Sequence, residues 1–315
     1  MNRGRCRRLR LMAVSLLLVM LSGHFVLAGE APPCVSWDDA FSKPNLLNIA
    51  HAGASSIAPQ NTLVAGQAAH DAGADVWGVD VRRTADGILV LMHDEALERT
   101  TDVEDVFPSR APWKVADFVL AEICLLDAGS WFSEDDPFDQ IAQGTVSGDT
   151  AASYSGVPVP TLREALEFVA ANDWLIDIEV KSPFDVERSV VAAELAALVC
   201  ETETTPRVLV SSFDHGFLRE LRRAAPEISI GLLSLFPPRN GVEDLQALGA
   251  DVYLPSVVGF TPGLLSDLEA VGIGVILWTY NRPSQWEYAA DLPGVDGIYT
   301  DFPQRLTRWL EEREP

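Results

Sequence analysis

The chain holds 5 histidines, and two of them stand where chemistry is plausible. His51 follows the apolar run Leu46–Ala50, and His93-Asp94 follows the run Ile88–Met92. Asp80 lies within Val76–Val81, and Ile178-Glu179-Val180-Lys181 closes the run Trp174–Val180. Imidazole titrates near neutral pH and moves protons to and from alcohol oxygens. Two carboxylates hold a hard divalent cation through oxygen, and a cation neutralises an anionic group. With lysine as a fixed positive charge, these residue types suit cleavage of an anionic ester. Each has a plainer reading: a strand-end histidine as packing, Glu179 and Lys181 as a salt bridge, Asp94 as a turn cap. His70 reads as an exposed helix residue, His215 as a secondary candidate, and His24 lies in the leading segment.

These side chains act together only if the elements bring them to one place. Eight short apolar runs recur past residue 45: Leu46–Ala50, Val76–Val81, Trp174–Val180, Arg207–Ser211, Ser229–Leu233, Asp251–Leu254, Gly274–Trp278 and Gly297–Thr300. Strands buried on both faces read this way. Amphipathic stretches such as Thr62–Ala72, Thr161–Ala171 and Val186–Cys200 separate them, and Thr161 with Glu164 forms a capping-box pattern. This alternation predicts an α/β fold, a (β/α)8 TIM barrel, with an open doubly wound sheet as the alternative. Barrel sites lie at the C-terminal ends of strands, which is where His51, Glu179, Lys181 and Trp278 fall. The run Ile88–Met92 is joined to Val81 only by Arg-Arg-Thr-Ala-Asp-Gly, too short for a parallel crossover. It predicts a β-hairpin after the second strand that returns His93 to the mouth. Residues 99–160 are an insertion before the third strand, and the acidic, Ser/Gly-rich piece Ser133–Gly156 reads as a mobile surface loop.

The 315 residues carry a formal charge of −23. Residues 1–28 combine five arginines in the first ten positions, the apolar stretch Leu11–Val26 and small residues at Ala28-Gly29. That pattern predicts a signal peptide and an exported, periplasmic or extracellular protein. A membrane anchor is the alternative, but the apolar stretch is short for a span of about 20 residues. Residues 29–45 then form an N-terminal extension and 46–310 the barrel domain. Without the leading arginines, 18 basic residues face 46 acidic ones, and the charge becomes −28. Such a surface repels nucleic acid and anionic headgroups, so the expected partner is a small molecule. Beyond the signal, Cys34, Cys124 and Cys200 allow at most one disulfide and show no metal-ligand spacing.

The ordered set His51-Ala52-Gly53, Pro59-Gln60-Asn61-Thr62, Val79-Asp80-Val81, Thr84-Ala85-Asp86-Gly87, Met92-His93-Asp94, Glu179-Val180-Lys181, Trp278-Thr279 and Thr300-Asp301 closely resembles the glycerophosphodiester phosphodiesterase family. The likeness runs over about residues 46–310. It implies a TIM barrel that hydrolyses glycerophosphodiesters to glycerol 3-phosphate and an alcohol with Ca2+ or Mg2+. By the same resemblance His51 and His93 are catalytic, Asp80, Glu179 and Gln60 are metal ligands, and Lys181 and Trp278 contact substrate. Three positions depart from the family pattern. Ala52 replaces the arginine of His-Arg-Gly, Gln60 the glutamate of Pro-Glu-Asn-Thr, and Gly78 a metal-ligand glutamate two residues before Asp80. Alternation places Gly78 and Asp80 on one face, so the glycine is expected to leave space beside the metal position. The departures also leave open a non-catalytic or substrate-shifted barrel that binds a phosphorylated or polyol ligand.

Overall fold

The strand runs and their separators produce the expected closed barrel. The computed structural model describes residues 35–42 and 46–313, so the proposed signal segment lies outside the described residues, as does Cys34. Among the described residues, nine strands are present: β1 (Leu47–His51), β2 (Val76–Arg83), β3 (Leu89–Leu91), β4 (Leu175–Val180), β5 (Val208–Ser212), β6 (Ser229–Ser234), β7 (Val252–Pro255), β8 (Gly274–Leu277) and β9 (Gly297–Thr300). They pair in the order β1-β9-β8-β7-β6-β5-β4-β2-β3, and β1 pairs with β2 to close the ring. All ring pairings are parallel, while β3 lies antiparallel on β2 with Val81 opposite Leu91. The hairpin expected from the short link is therefore present, and each of the eight ring strands overlaps its apolar run.

Period-2 alternation divides the buried residues into two shells. Inward side chains such as Leu47, Ile49, Val76, Leu175, Leu209 and Ile276 fill the barrel. Outward ones such as Ala50, Trp77, Ile176 and Val210 pack under the helices. The helix Trp37–Phe41 plugs the end of the barrel opposite the strand C-termini. Its Trp37 indole donates to the Arg207 carbonyl at 3.1 Å, and the Val35 amide to Asp173 at 3.1 Å. Helix entries follow the sequence signals. Thr62 caps Leu63–Asp71 through the Ala65 amide, and Thr161 with Glu164 forms the reciprocal box on Leu162–Ala171.

The insertion is more structured than its composition predicts. It buries two apolar clusters, one around Val103, Phe118 and Ile123 and one around Phe132, Val146 and Tyr154. Tyr154 donates to the Ile57 carbonyl at 2.7 Å, and Asp127 accepts from the amides of Gly129, Ser130 and Gly156. A few well-placed aromatics and one multiply bonded aspartate thus replace the mobile loop expected over Ser133–Gly156. Cys124 and Cys200 are free and exposed. Among the described residues, no helix is long and apolar enough to cross a membrane.

Candidate active site

The C-terminal ends of the strands surround a cavity of about 180 Å³, whose lining includes His51, Asp80, His93, Glu179, Lys181 and Trp278. Asp80 and Glu179 are register partners on β2 and β4, both turned into the barrel. The Lys181 ammonium lies between them, 2.9 Å from Asp80 Oδ1 and 2.5 Å from Glu179 Oε1. Asn61 holds the other Asp80 oxygen at 2.8 Å and accepts the Asp80 amide at 2.9 Å. Asp80 is only 3% exposed, yet its carboxyl is held down to about 2. Burial works against ionisation there, and the charges of Lys181, His93 and His51 with the Asn61 bond overcome it. Glu179 shifts upward, through burial first and then the charge of Asp80. A proton entering the pair therefore goes to Glu179.

Each histidine is fixed through Nδ1 by its own carboxylate, which leaves Nε2 for the cavity. His51 bonds Asp301 at 2.7 Å, and Asn281 donates to the other Asp301 oxygen at 2.6 Å. Burial alone would lower the pKa of His51; the Asp301 bond and the charges of Asp301, Asp80 and Glu179 outweigh it and raise the pKa. His93 bonds Asp94 at 2.6 Å, and Asp94 is also salt-bridged to Arg99. The hairpin fixes this second imidazole, since the Met92 amide donates to the Asp80 carbonyl and Arg82 Nε donates to the His93 carbonyl. Asp94 thus orients His93 rather than capping a turn.

Gly78 does not leave the space expected of it. A Cβ there would lie 2.6 Å from Cε1 of Tyr299, because the Tyr299 ring from β9 fills that side of the barrel. The Tyr299 hydroxyl donates to Asp177, a fully buried carboxyl pushed up to about 7 chiefly by burial. The remaining candidates sort plainly. Trp278 lines the cavity and donates to the Leu254 carbonyl at 2.9 Å. Gln60 is half-buried and outside the cavity lining, whereas its neighbour Asn61 reaches Asp80. His215 is tied to the Leu233 carbonyl at 3.0 Å, and His70 is half-buried edge-on to Trp174. Sequence reasoning assigned no role to Asp301, Asn281, Asn61 or Tyr299. Asp301 was within reach of it, because it follows the last strand at the same mouth.

A divalent cation finds only a pair of acidic donors here. Among the described residues, no three His, Cys, Asp or Glu side chains converge as a metal cage. Asp80 and Glu179 nevertheless fit one as a two-carboxylate site: both turn toward a point that already attracts an ammonium, and together they outweigh its single charge.

A (β/α)8 barrel with two carboxylate-fixed imidazoles, an acidic pair and a lysine at its mouth carries the groups that cleavage of an anionic ester would call on. Its particular family follows from comparison. The model of the glycerophosphoryl diester phosphodiesterase family matches residues 51–305, so the chain belongs to that family and is a phosphoric diester hydrolase. A glycerophosphodiester phosphodiesterase of Caldanaerobacter subterraneus subsp. tengcongensis is 34% identical over 82% of this chain and 96% of its own. A solved glycerophosphoryl diester phosphodiesterase structure from Silicibacter pomeroyi superposes with TM-score 0.72 at 29% identity, covering 86% of this chain and 95% of the other. An Oleispira antarctica phosphodiesterase, solved with its product sn-glycerol-3-phosphate, gives TM-score 0.70 at 27% identity over 84% of this chain and 96% of that one.

Proposed function

We propose that this protein hydrolyses glycerophosphodiesters to glycerol 3-phosphate and an alcohol, with His51 and His93 transferring the protons. The observation that carries this reading is the fixing of both imidazoles through Nδ1, at 2.7 and 2.6 Å, in the lining of the cavity that Lys181 also borders. His93 takes a proton from the attacking water as its oxygen bonds phosphorus, and His51 gives one to the alcohol oxygen as that oxygen's bond to phosphorus breaks. The assignment follows from the partners. Asp301 has no arginine beside it and favours the imidazolium, while the charge of Asp94 is shared with Arg99. Lys181 holds the phosphate oxygens as negative charge builds on them. Asp80 and Glu179 would hold Ca2+ or Mg2+, which when bound supplies further positive charge to the phosphate. Export, supported by the pattern of residues 1–28, would place this reaction outside the cytoplasm.

Purified protein incubated with a panel of glycerophosphodiesters, with and without added Ca2+ or Mg2+, tests the reading. It predicts release of glycerol 3-phosphate in equal amount to the alcohol. Free glycerol with a phosphomonoester, or no turnover of any member under either condition, would overturn it.

A further inference from the structure

Among the described residues, none that lines the catalytic cavity comes from the insertion at 99–160. Its two small cores instead lie behind the two imidazoles. The first joins Val103, Phe118 and Ile123 to Val90 and to Met92, the residue before His93. Thr100 donates to the Met92 sulfur at 3.4 Å, and Arg99 is the cation on Asp94. The far edge of β3 is covered by the end of the insertion, where the Leu91 amide donates to the Pro160 carbonyl at 2.8 Å. The second core joins Phe132, Val146 and Tyr154 to Ile57, Ala58 and Ala65, from the loop after His51 and the helix that follows it. The Tyr154 bond to the Ile57 carbonyl holds that loop, whose Ser55 hydroxyl and Ser56 amide donate to Asp301 at 3.3 and 3.0 Å. Beyond Asp301 the chain is gripped again: Phe138 meets Phe302 edge-on at 5.5 Å, and Gln140 accepts from Arg305 at 2.7 Å. A tight joint links the cores. The Ala128 amide donates to the Val157 carbonyl at 2.7 Å, and a Cβ at Gly129 would lie 1.9 Å from the Tyr154 carbonyl oxygen.

We propose that the insertion is a positioning element for proton transfer, one core fixing the His51–Asp301 pair and the other the His93–Asp94 pair, so that the joint between them sets the separation of the two imidazoles. Tyr154, Phe138 and Gln140 are then positioning residues for His51, and Arg99, Thr100 and Phe118 for His93. The inference rests on the two-histidine reading above and deepens it. The barrel alone fixes Asp80 and Glu179, because they are register partners in one ladder. It does not fix the imidazoles in the same way. His51 is the last residue of β1 and its carboxylate lies beyond β9, while His93 lies beyond β3, a strand of three residues. Proton transfer between a side chain and a reacting oxygen depends steeply on their separation, and a displacement of about 1 Å costs on the order of 10²-fold in rate. Side chains that never touch substrate therefore govern the rate by holding the ones that do.

A crossed experiment on the full protein tests this. Tyr154→Phe combined with Phe138→Ala loosens the His51 side, and Phe118→Leu thins the core behind His93. Each should lower kcat on a glycerophosphodiester by about tenfold while leaving KM unchanged, because the residues that line the cavity are all kept. The imidazole Cε1–H cross-peaks in 1H–13C NMR, assigned through His51→Ala and His93→Ala, separate the two sides. Tyr154→Phe/Phe138→Ala should shift the His51 cross-peak and leave that of His93 in place, and Phe118→Leu should do the reverse. Phe138→Leu in place of Phe138→Ala keeps an apolar contact on Phe302 and should restore most of the rate. Leu166→Val, a loss of buried volume elsewhere in the barrel's outer core, should lower Tm and move neither cross-peak. Native kcat with unmoved cross-peaks in the insertion variants overturns the proposal. So do equal shifts of both cross-peaks from either side, or from Leu166→Val, since the insertion would then be a general stabiliser. A protein that hydrolyses no glycerophosphodiester sinks the phosphodiesterase reading, and the cross-peaks still decide whether the insertion holds the imidazoles.

Discussion

The two arcs of the barrel mouth solve opposite problems with the same scaffold. On the β1, β2, β4 and β9 side, nearly every charge is engaged: Asp80 with Asn61 and Lys181, Glu179 with Lys181, His51 with Asp301, His93 with Asp94. On the β5–β8 side, large apolar groups are left standing in solvent. The polar arc is costly to misplace, because a buried charge without its partner loses several kcal/mol. The apolar arc is cheap to alter, because an exposed side chain contributes little to folding. Charge is therefore concentrated where substitutions are least tolerated, and exposed apolar surface where they are most tolerated.

The largest effect expected of a single change lies in the polar arc. His51→Ala and His93→Ala should each lower kcat by about 10²–10⁴, the usual contribution of a positioned acid or base. Circular dichroism should stay close to native, while Tm should fall more for His51→Ala, which leaves the largely buried Asp301 without its imidazole, than for His93→Ala, whose Asp94 keeps Arg99. Native rates from either variant would erase the distinction between the arcs. Lys181→Met comes next. It leaves two buried carboxylates facing each other, so we expect a stability loss of about 3–5 kcal/mol by denaturant titration and a fall in kcat of about 10²–10³. The same variant should bind Ca2+ or Mg2+ more tightly by calorimetry, because the ammonium no longer competes for Asp80 and Glu179. Unchanged cation affinity would show that the acidic pair does not hold the metal.

Much of this was legible in the sequence, and the limits have physical causes. Ring strands buried on both faces are continuous apolar runs, so all eight could be read, and the six-residue link forced the hairpin that carries His93. The strand-end rule then placed His51, Asp80, Glu179 and Lys181 at one mouth. What the sequence hid depends on contacts between distant strands. Asp301 lies 250 positions from His51, and Asn61 reaches Asp80 only because the loop after β1 folds back over β2. The insertion was misjudged because Phe132, Val146 and Tyr154 are few but entirely absorbed into one small core.

Gly78 is the position where sequence and structure part most sharply. Alternation correctly places it beside Asp80, but what stands opposite is set by β9, where Tyr299 occupies the volume a longer side chain would need. Gly78→Glu alone should therefore fail to rebuild a metal site and should cost about 1–3 kcal/mol in chemical denaturation through overpacking. Combined with Tyr299→Ala, it should recover cation binding, with a coupling of opposite sign to the single losses. An unperturbed Gly78→Glu single variant would mean that the floor of the polar arc yields as readily as the apolar rim.

The finest test separates the two histidines within the polar arc. His51 is raised above 6.5 although burial pulls it down, and the uncompensated Asp301 carboxylate supplies most of the opposing pull. If His51 is the acid, activity is full while it is protonated and falls as pH rises through that raised pKa. Asp301→Asn removes both the bond to a charged partner and the charge, leaving burial opposed only by the charges of Asp80 and Glu179, so the alkaline limb of kcat should move to lower pH. The linked stability has the same sign: native protein gains from the protonated His51 below 6.5 and loses that gain as pH rises, and the variant should show a flatter dependence of Tm on pH. Asp94→Asn, whose carboxylate already shares its charge with Arg99, should shift the alkaline limb less. Equal shifts from the two variants would deny the assignment of acid and base, while leaving the contrast between the charged and apolar arcs intact.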